Sequence, residues 1–282
     1  SAFIDITPDE WQNTMVCSRL IEIQSGGRME LGLKGKKAII TGGSRGIGLH
    51  TGMLLAREGC CIAFCARGQP EIDAAISKIG AQGNGTVVGF QADLEDGDAT
   101  RTFVSRAIES LGGVDILVHN ASGFDMSGDE AGWMRSFQVD MMAGVRVVEE
   151  SLEHLKQSES ASITFVGSMA SKFHFGRPPS SYGAAKGAMR VYANELAQAH
   201  GVHGIRANVI SPGAVWFEGG SWDQRKIENP KFYASVEKGI PLGRLGTADE
   251  IARAIAFVAS PAGIWINAAH IAADGGQVAA VD

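Results

Sequence analysis

From Lys36 onward the chain alternates short apolar runs with longer stretches whose apolar positions recur at helical spacing. The runs KAIIT (37–41), CIAFC (61–65), TVVGF (86–90), DILVH (115–119), SITFV (162–166), IRANVI (205–210) and HIAA (270–273) read as strands. The intervening patterns predict helices near 47–58, 71–82, 97–111, 129–156, 181–200 and 247–259. Alternation at this spacing lays the strands side by side in parallel, with helices over both faces. The expected fold class is α/β, a doubly wound parallel sheet of about seven strands in one domain over residues 31–282.

Two stretches break the rhythm. Residues 1–30 read as an N-terminal arm with a short helix. Thr7, Pro8 and Glu10 form its start, Trp11, Met15, Val16 and Leu20 its apolar side, and Ser25-Gly26-Gly27 its stop. Residues 212–246 are rich in Trp, Phe, Gly and Pro and read as an irregular lid or binding loop.

Composition narrows the function. The chain is 45% hydrophobic and 20% charged, enough to bury a sizeable core. Its formal charge is −6 with no basic stripe, which excludes a nucleic-acid footprint. No apolar run has the length of a membrane span. Cys60, Cys61 and Cys65 crowd one strand, where neighbours point to opposite faces, so they read as buried free thiols and not as a metal site. Free thiols fit a reducing cytoplasm, the expected location.

TGGSRGIG, residues 41–48, follows the first strand and opens the first helix. Gly42 permits the tight turn, while Gly46 and Gly48 clear side chains from a close backbone approach. A helix N-terminus offers unpaired N–H groups and partial positive charge to a pyrophosphate. The expected fold is therefore Rossmann-like, with Gly42, Ser44, Arg45, Gly46, Ile47 and Gly48 around the phosphates. At the end of the second strand, where an acidic residue would bind ribose hydroxyls, the chain reads CARGQ. Arg45 and Arg67 suit a 2′-phosphate, which favours NADP(H), with NAD(H) second.

Tyr182 and Lys186 lie four apart on a predicted helix and share one face. Ser168 follows the fifth strand, at the sheet end where ligands bind. An ammonium beside a phenol favours the phenolate, so Lys186 is expected to lower the pKa of Tyr182. Tyr182 would then exchange a proton with a carbonyl oxygen, and Ser168 would steady the charge on that oxygen.

With TGGSRGIG, QADLED, HNAS, Ser168, YGAAK, SPG (211–213) and DGG (274–276) in this order, the chain resembles the short-chain dehydrogenase/reductase family in its common form, from about Leu31 to Asp282. The resemblance implies Ser168, Tyr182 and Lys186 as catalytic residues. It implies Asp93 and Leu94 at the adenine, and Asn120, Ala121 and Ser122 along the cofactor channel. Lys186 would also hold the nicotinamide ribose, and Pro212, Gly213 and Val215 would pass near the nicotinamide. Similar proteins are usually homotetramers or homodimers that meet through the helices near 129–156 and 181–200.

Four positions depart from the family pattern. HNAS stands where NNAG is usual, so His119 replaces an asparagine and Ser122 a glycine. Asp140 stands where an asparagine usually helps a proton relay, and is expected to support that relay by a changed hydrogen-bond pattern. Near Phe217 a threonine that would bind the carboxamide is missing. The expected activity is NADP-dependent hydride transfer on a ketone, 3-oxoacyl compound or secondary alcohol, with no metal. The alternatives are an NAD-dependent steroid or aromatic alcohol dehydrogenase and a non-catalytic NADP-binding regulator. Trp216, Phe217, Trp222, Phe232 and Tyr233 point either to an apolar or ring-bearing substrate or to a subunit contact.

Overall fold

The computed structural model describes residues 29–125, 127–174 and 179–279. The arm helix expected over 7–20 lies outside the described residues. The strands are β1 (Lys37–Thr41), β2 (Cys61–Ala66), β3 (Val87–Gln91), β4 (Ile116–His119), β5 (Ser162–Val166), β6 (Arg206–Pro212), the two-residue β7 (Val215–Trp216) and β8 (Gly246–Thr247), and β9 (His270–Ala273). The helices are α1 (Gly46–Arg57), α2 (Gln69–Gly80), α3 (Gly97–Leu111), α4 (Glu130–Ser136), α5 (Ala143–Leu155), α6 (Ser181–His200), α7 (Ser221–Glu228), α8 (Pro230–Gly239) and α9 (Ala248–Ala259).

The main sheet has 7 parallel strands in the order β3-β2-β1-β4-β5-β6-β9, and β7 pairs with β8 apart from it. Strand side chains alternate between faces. Ile39, Ala63, Leu117, Ile163 and Ala207 enter the core on one side, while Ala38, Ile40, Ile62, Phe64, Ile116 and Val118 enter the core on the other. That is why the strands read as unbroken apolar runs: both faces are covered. Cys60 and Cys65 are among the buried residues, and burial pushes both thiols up to about 12. They are packing groups with no thiolate at neutral pH.

The helices begin and end where local chemistry dictates. Asp96 caps α3 by accepting the N–H groups of Asp98 and Ala99, and Gly112 closes it in the left-handed region at φ 68°. Thr247 and Glu250 form a capping box at the start of α9. At the other end of α9, the buried guanidinium of Arg206 donates to the carbonyls of Val258, Ala259, Ser260 and Ile266 at 2.7 to 3.3 Å. It satisfies the last orphan acceptors of that helix.

Two expectations change. The stretch 129–156 is not one α-helix: a π-helical segment, Phe137–Met142, separates α4 from α5. Residues 212–246 are not irregular. They hold α7 and α8, the second begun by Asn229 as cap with Pro230 in the first turn. No helix among the described residues is long and apolar enough to cross a membrane.

Candidate active site

In the strand order, the chain reverses direction between β1 and β4, and a crevice opens beyond their carboxyl ends. The register pairs Thr41 with His119 there. The glycine turn follows Thr41. Arg45, the N-cap of α1, makes no side-chain cap hydrogen bond, and the N–H groups of Gly46, Ile47 and Gly48 meet no acceptor among the described residues. Several donors therefore converge on one spot, as an anion requires. A Cβ on Gly48 would run into the Gly42 carbonyl oxygen and stand 2.5 Å from Asn120 Nδ2. The side chain of Asn120 is in turn committed to the turn itself, donating to the carbonyls of Thr41 at 3.1 Å and Gly42 at 2.8 Å. Asn120 thus braces the turn from behind, while Ala121 and the exposed Ser122 continue past it. These features fit a dinucleotide pyrophosphate.

Around the turn, Arg45 and Arg67 are both exposed with no side-chain partner among the described residues. Asp93 is exposed and Leu94 buried at the start of the loop after β3. On the other side Pro212 ends β6, and the backbone of Gly213 is too close to Gln277 and Asp274 to admit a side chain. Val215 is buried in the core. Phe217, where the family's threonine is missing, rests on the turn: its ring carbons lie 2.7 to 2.9 Å from where a Cβ on Gly46 would stand.

The three expected catalytic side chains meet across the crevice. Ser168 leaves β5 as the cap of a short 3-10 turn, its Oγ accepting the Ala170 N–H at 3.1 Å. Tyr182 and Lys186 lie on the first turns of α6, with Lys186 Nζ 5.8 Å from the Tyr182 ring centre. Lys186 is 1% exposed and donates to the Val166 carbonyl at 2.8 Å. Its Nζ also lies 3.1 Å from Asp140 Oδ1. That approach is off the hydrogen-bond line, and Oδ1 has no other partner among the described residues, so charge holds the pair. Asp140 Oδ2 accepts the Gly123 N–H at 3.1 Å.

The electrostatics correct one expectation. The pKa of Tyr182 is raised, because burial of the ring outweighs the lowering by Lys186 and by the hydrogen bond from Ser168, and the charge of Asp140 adds to the rise. Burial of the ring, the largest cause, is a property of the fold that spacing along the helix does not reveal. In the folded chain the charge of Asp140 offsets part of the field of the Lys186 cation.

Phe124 was not singled out by the sequence. It stands edge-on to Tyr182 at 5.2 Å, with φ 45°, in the left-handed region that non-glycine residues rarely occupy. The Arg225 guanidinium of α7 lies 5.9 Å from this ring and 5.1 Å from Trp222. Of the lid aromatics, Trp222 stacks on Phe232 at 5.9 Å and meets Tyr233 at 6.2 Å, while Trp216 donates to Asp223. Those rings build the lid's own small core with Ala214, Ile240 and Leu245. Only position in a loop after a strand end could have flagged Phe124; nothing in its residue type does.

A phosphate-ready glycine turn and a Ser-Tyr-Lys cleft at the switch point of a doubly wound sheet define a dinucleotide-dependent oxidoreductase. The chain belongs to the short-chain dehydrogenase/reductase family: the family model described as short chain dehydrogenase matches residues 36–219. It is an oxidoreductase of the CH–OH/C=O type. Isoepoxydon dehydrogenase patN of Penicillium expansum is 34% identical over 247 residues, covering 87% of this chain and 95% of the relative. A blue fluorescent protein from a metagenomic library, in complex with NADPH, superposes with a TM-score of 0.80 at 29% identity, covering 88% of this chain and 100% of that one. An NADPH-bound short chain oxidoreductase from Pseudomonas aeruginosa PAO1, described as containing an atypical catalytic center, superposes with a TM-score of 0.79 at 30% identity, covering 87% and 98%.

Proposed function

We propose that the chain is an NADP-dependent reductase of a ketone or 3-oxoacyl compound, running in reverse as a secondary-alcohol dehydrogenase. The observation that carries this reading is the placement of Tyr182 beside the buried Lys186 at the mouth of the glycine-turn crevice. The backbone from Gly42 through Ser44, Gly46, Ile47 and Gly48 would hold the pyrophosphate. Arg45 and Arg67 would take the 2′-phosphate, and two solved NADPH-bound neighbours support that preference. Asp93 and Leu94 would meet the adenine, Ala121 and Ser122 the channel, and Pro212, Gly213 and Val215 the nicotinamide.

The nicotinamide, when bound, supplies or takes up a hydride. The chain handles the proton. Tyr182 gives its phenolic proton to the carbonyl oxygen, and Ser168 donates a hydrogen bond to the same oxygen. Lys186, with one N–H on the Val166 carbonyl and its charge held against Asp140, keeps N–H donors for the nicotinamide ribose. Burial keeps Tyr182 protonated, the form that carbonyl reduction requires of it. The Phe124 ring stands beside it with the Arg225 guanidinium of α7 against that ring, and the ring suits an apolar or ring-bearing carbonyl compound.

A cytoplasmic homotetramer or homodimer completes the proposal. Met134 at 56% exposure, Met142 at 38% and Val191 at 64% leave an apolar stripe on α4, the π segment and α6, which supports pairing through those helices. The test is a paired titration with NADPH and NADH on the wild type and on Arg45→Ala and Arg67→Ala, then a carbonyl screen with the tighter cofactor. NADPH should bind more tightly and lose that advantage in the arginine variants. NADH binding as well as NADPH would overturn the cofactor assignment. Tyr182→Phe should abolish turnover and leave cofactor affinity intact; retained turnover would remove Tyr182 from its role.

A further inference from the structure

His119 is a buried titratable group near the site that the proposed chemistry leaves unused, and it takes the place of a family asparagine. It ends β4 with no solvent exposure. Its Nδ1 lies 3.0 Å from Thr41 Oγ1, and its Nε2 lies 3.2 Å from the backbone carbonyl of Asp140.

The network assigns the tautomer. Thr41 Oγ1 already accepts two N–H groups, from Asn120 and Ala121, each at 3.0 Å. Both of its acceptor sites are used, so its own proton points to His119 Nδ1. Nδ1 therefore accepts, and Nε2 carries the proton and donates it to the Asp140 carbonyl. The imidazole is neutral: burial, with the charge of Lys186 second, pushes its pKa down to about 4.

Packing holds the ring in that pose. Phe165, its register neighbour on β5, stands edge-on at 6.0 Å. A Cβ on Gly144 would stand 3.0 Å from His119 Cδ2, so the first turn of α5 needs a glycine to admit the ring. Asp140 sits inside the π segment, where carbonyls are shifted off the α-helical ladder and need other donors. His119 supplies one.

We propose that His119 is a positioning residue that couples the cofactor turn, through Thr41, to the Asp140–Lys186 pair, through the Asp140 carbonyl. Its short predecessor in the family pattern, asparagine, has no second ring nitrogen with which to span both partners. Fixing the Asp140 backbone keeps the carboxylate on Lys186, and this sets the field at Tyr182. The inference rests on the proposed proton chemistry, but part of its test does not.

The independent part is 15N NMR of the full chain labelled at histidine. His119 should show the neutral Nε2–H tautomer and no titration from about pH 5 to 9. The Nδ1–H tautomer, or titration in that range, would overturn the assignment even if the enzyme proved active on nothing. The second part compares His119→Asn, which keeps an acceptor near Thr41, with His119→Gln, which keeps a donor toward Asp140. In His119→Asn, kcat should fall about fivefold, the loss of one net hydrogen bond, and the pH profile of alcohol oxidation should move to lower pH. In His119→Gln most of kcat and the wild-type profile should return. Adding His119→Asn to Asp140→Asn should move the profile no further than Asp140→Asn alone. Equal losses in the two His119 variants with an unmoved profile, or additive shifts in the double variant, would reduce His119 to a packing residue. If neither variant folds, the tautomer measurement on the wild type still decides the network.

Discussion

Replacing Asp140 by asparagine is the sharpest test of the site. The carboxylate now serves two cations or donors at once: Lys186 Nζ at 3.1 Å on Oδ1, and the Gly123 N–H on Oδ2. An amide has one oxygen. Whichever way it turns, its NH2 faces either Lys186 or Gly123, donor against donor. Coulomb attraction at 3.1 Å with an effective dielectric near 20 is about 5 kcal/mol. Desolvation of the pair already offsets part of that, but breaking one side of a buried pair still costs about 3–5 kcal/mol. For a domain of this size that lowers Tm by roughly 6–20 °C. A second effect has its own sign. The charge of Asp140 raises the pKa of Tyr182, so its removal lets Lys186 lower that pKa. Alcohol oxidation, which needs the phenolate, should then switch on at lower pH in Asp140→Asn. Differential scanning calorimetry and kcat against pH read the two effects separately. A variant that melts like the wild type and keeps its pH profile would refute the ion-pair account.

Three further outcomes follow from the geometry. His119 and His270 are both held down to about 4 from 6.5, chiefly by burial, so their stabilisation is present above about pH 6.5 and is lost as pH falls toward 4; urea midpoints should drop over that window, and less steeply in His270→Gln. Arg206→Lys gives up the fork that meets four carbonyls at the end of α9 and should lose about 2–3 kcal/mol by chemical denaturation, with cofactor affinity unchanged. Gly48→Ala drives a methyl into the Gly42 carbonyl and the Asn120 amide, and should weaken NADPH binding by tenfold or more in a fluorescence titration, since the turn must open to accept it.

Legibility in the sequence followed the physics of each feature. Strands buried on both faces announce themselves as apolar runs, so β1 and β5 match their predicted spans; the edge strand β9 also matches, although no residue in it is fully buried. The glycine turn and the Tyr182–Lys186 spacing depend on backbone geometry within a few residues, and local sequence encodes that. The π segment does not show in FQVDMM, whose apolar spacing is that of an ordinary helix; its contact with His119 joins residues 21 apart in the chain. The helices α7 and α8 are short and have no fully buried residue, and Gly219, Gly220, Asn229 and Pro230 around them read as loop. The direction of the Tyr182 shift was misjudged for a related reason. Spacing reveals a neighbouring cation, whereas burial and a second-layer carboxylate belong to tertiary structure.

The contact between Phe217 and Gly46 ties together two parts of the chain that lie far apart in sequence. The ring belongs to the strip that leads from β7 into α7, and the glycine is the first residue of α1. A side chain at Gly46 and the ring of Phe217 could not both keep their places, so the bareness of the glycine turn at that residue is matched to an aromatic side chain some 170 positions away.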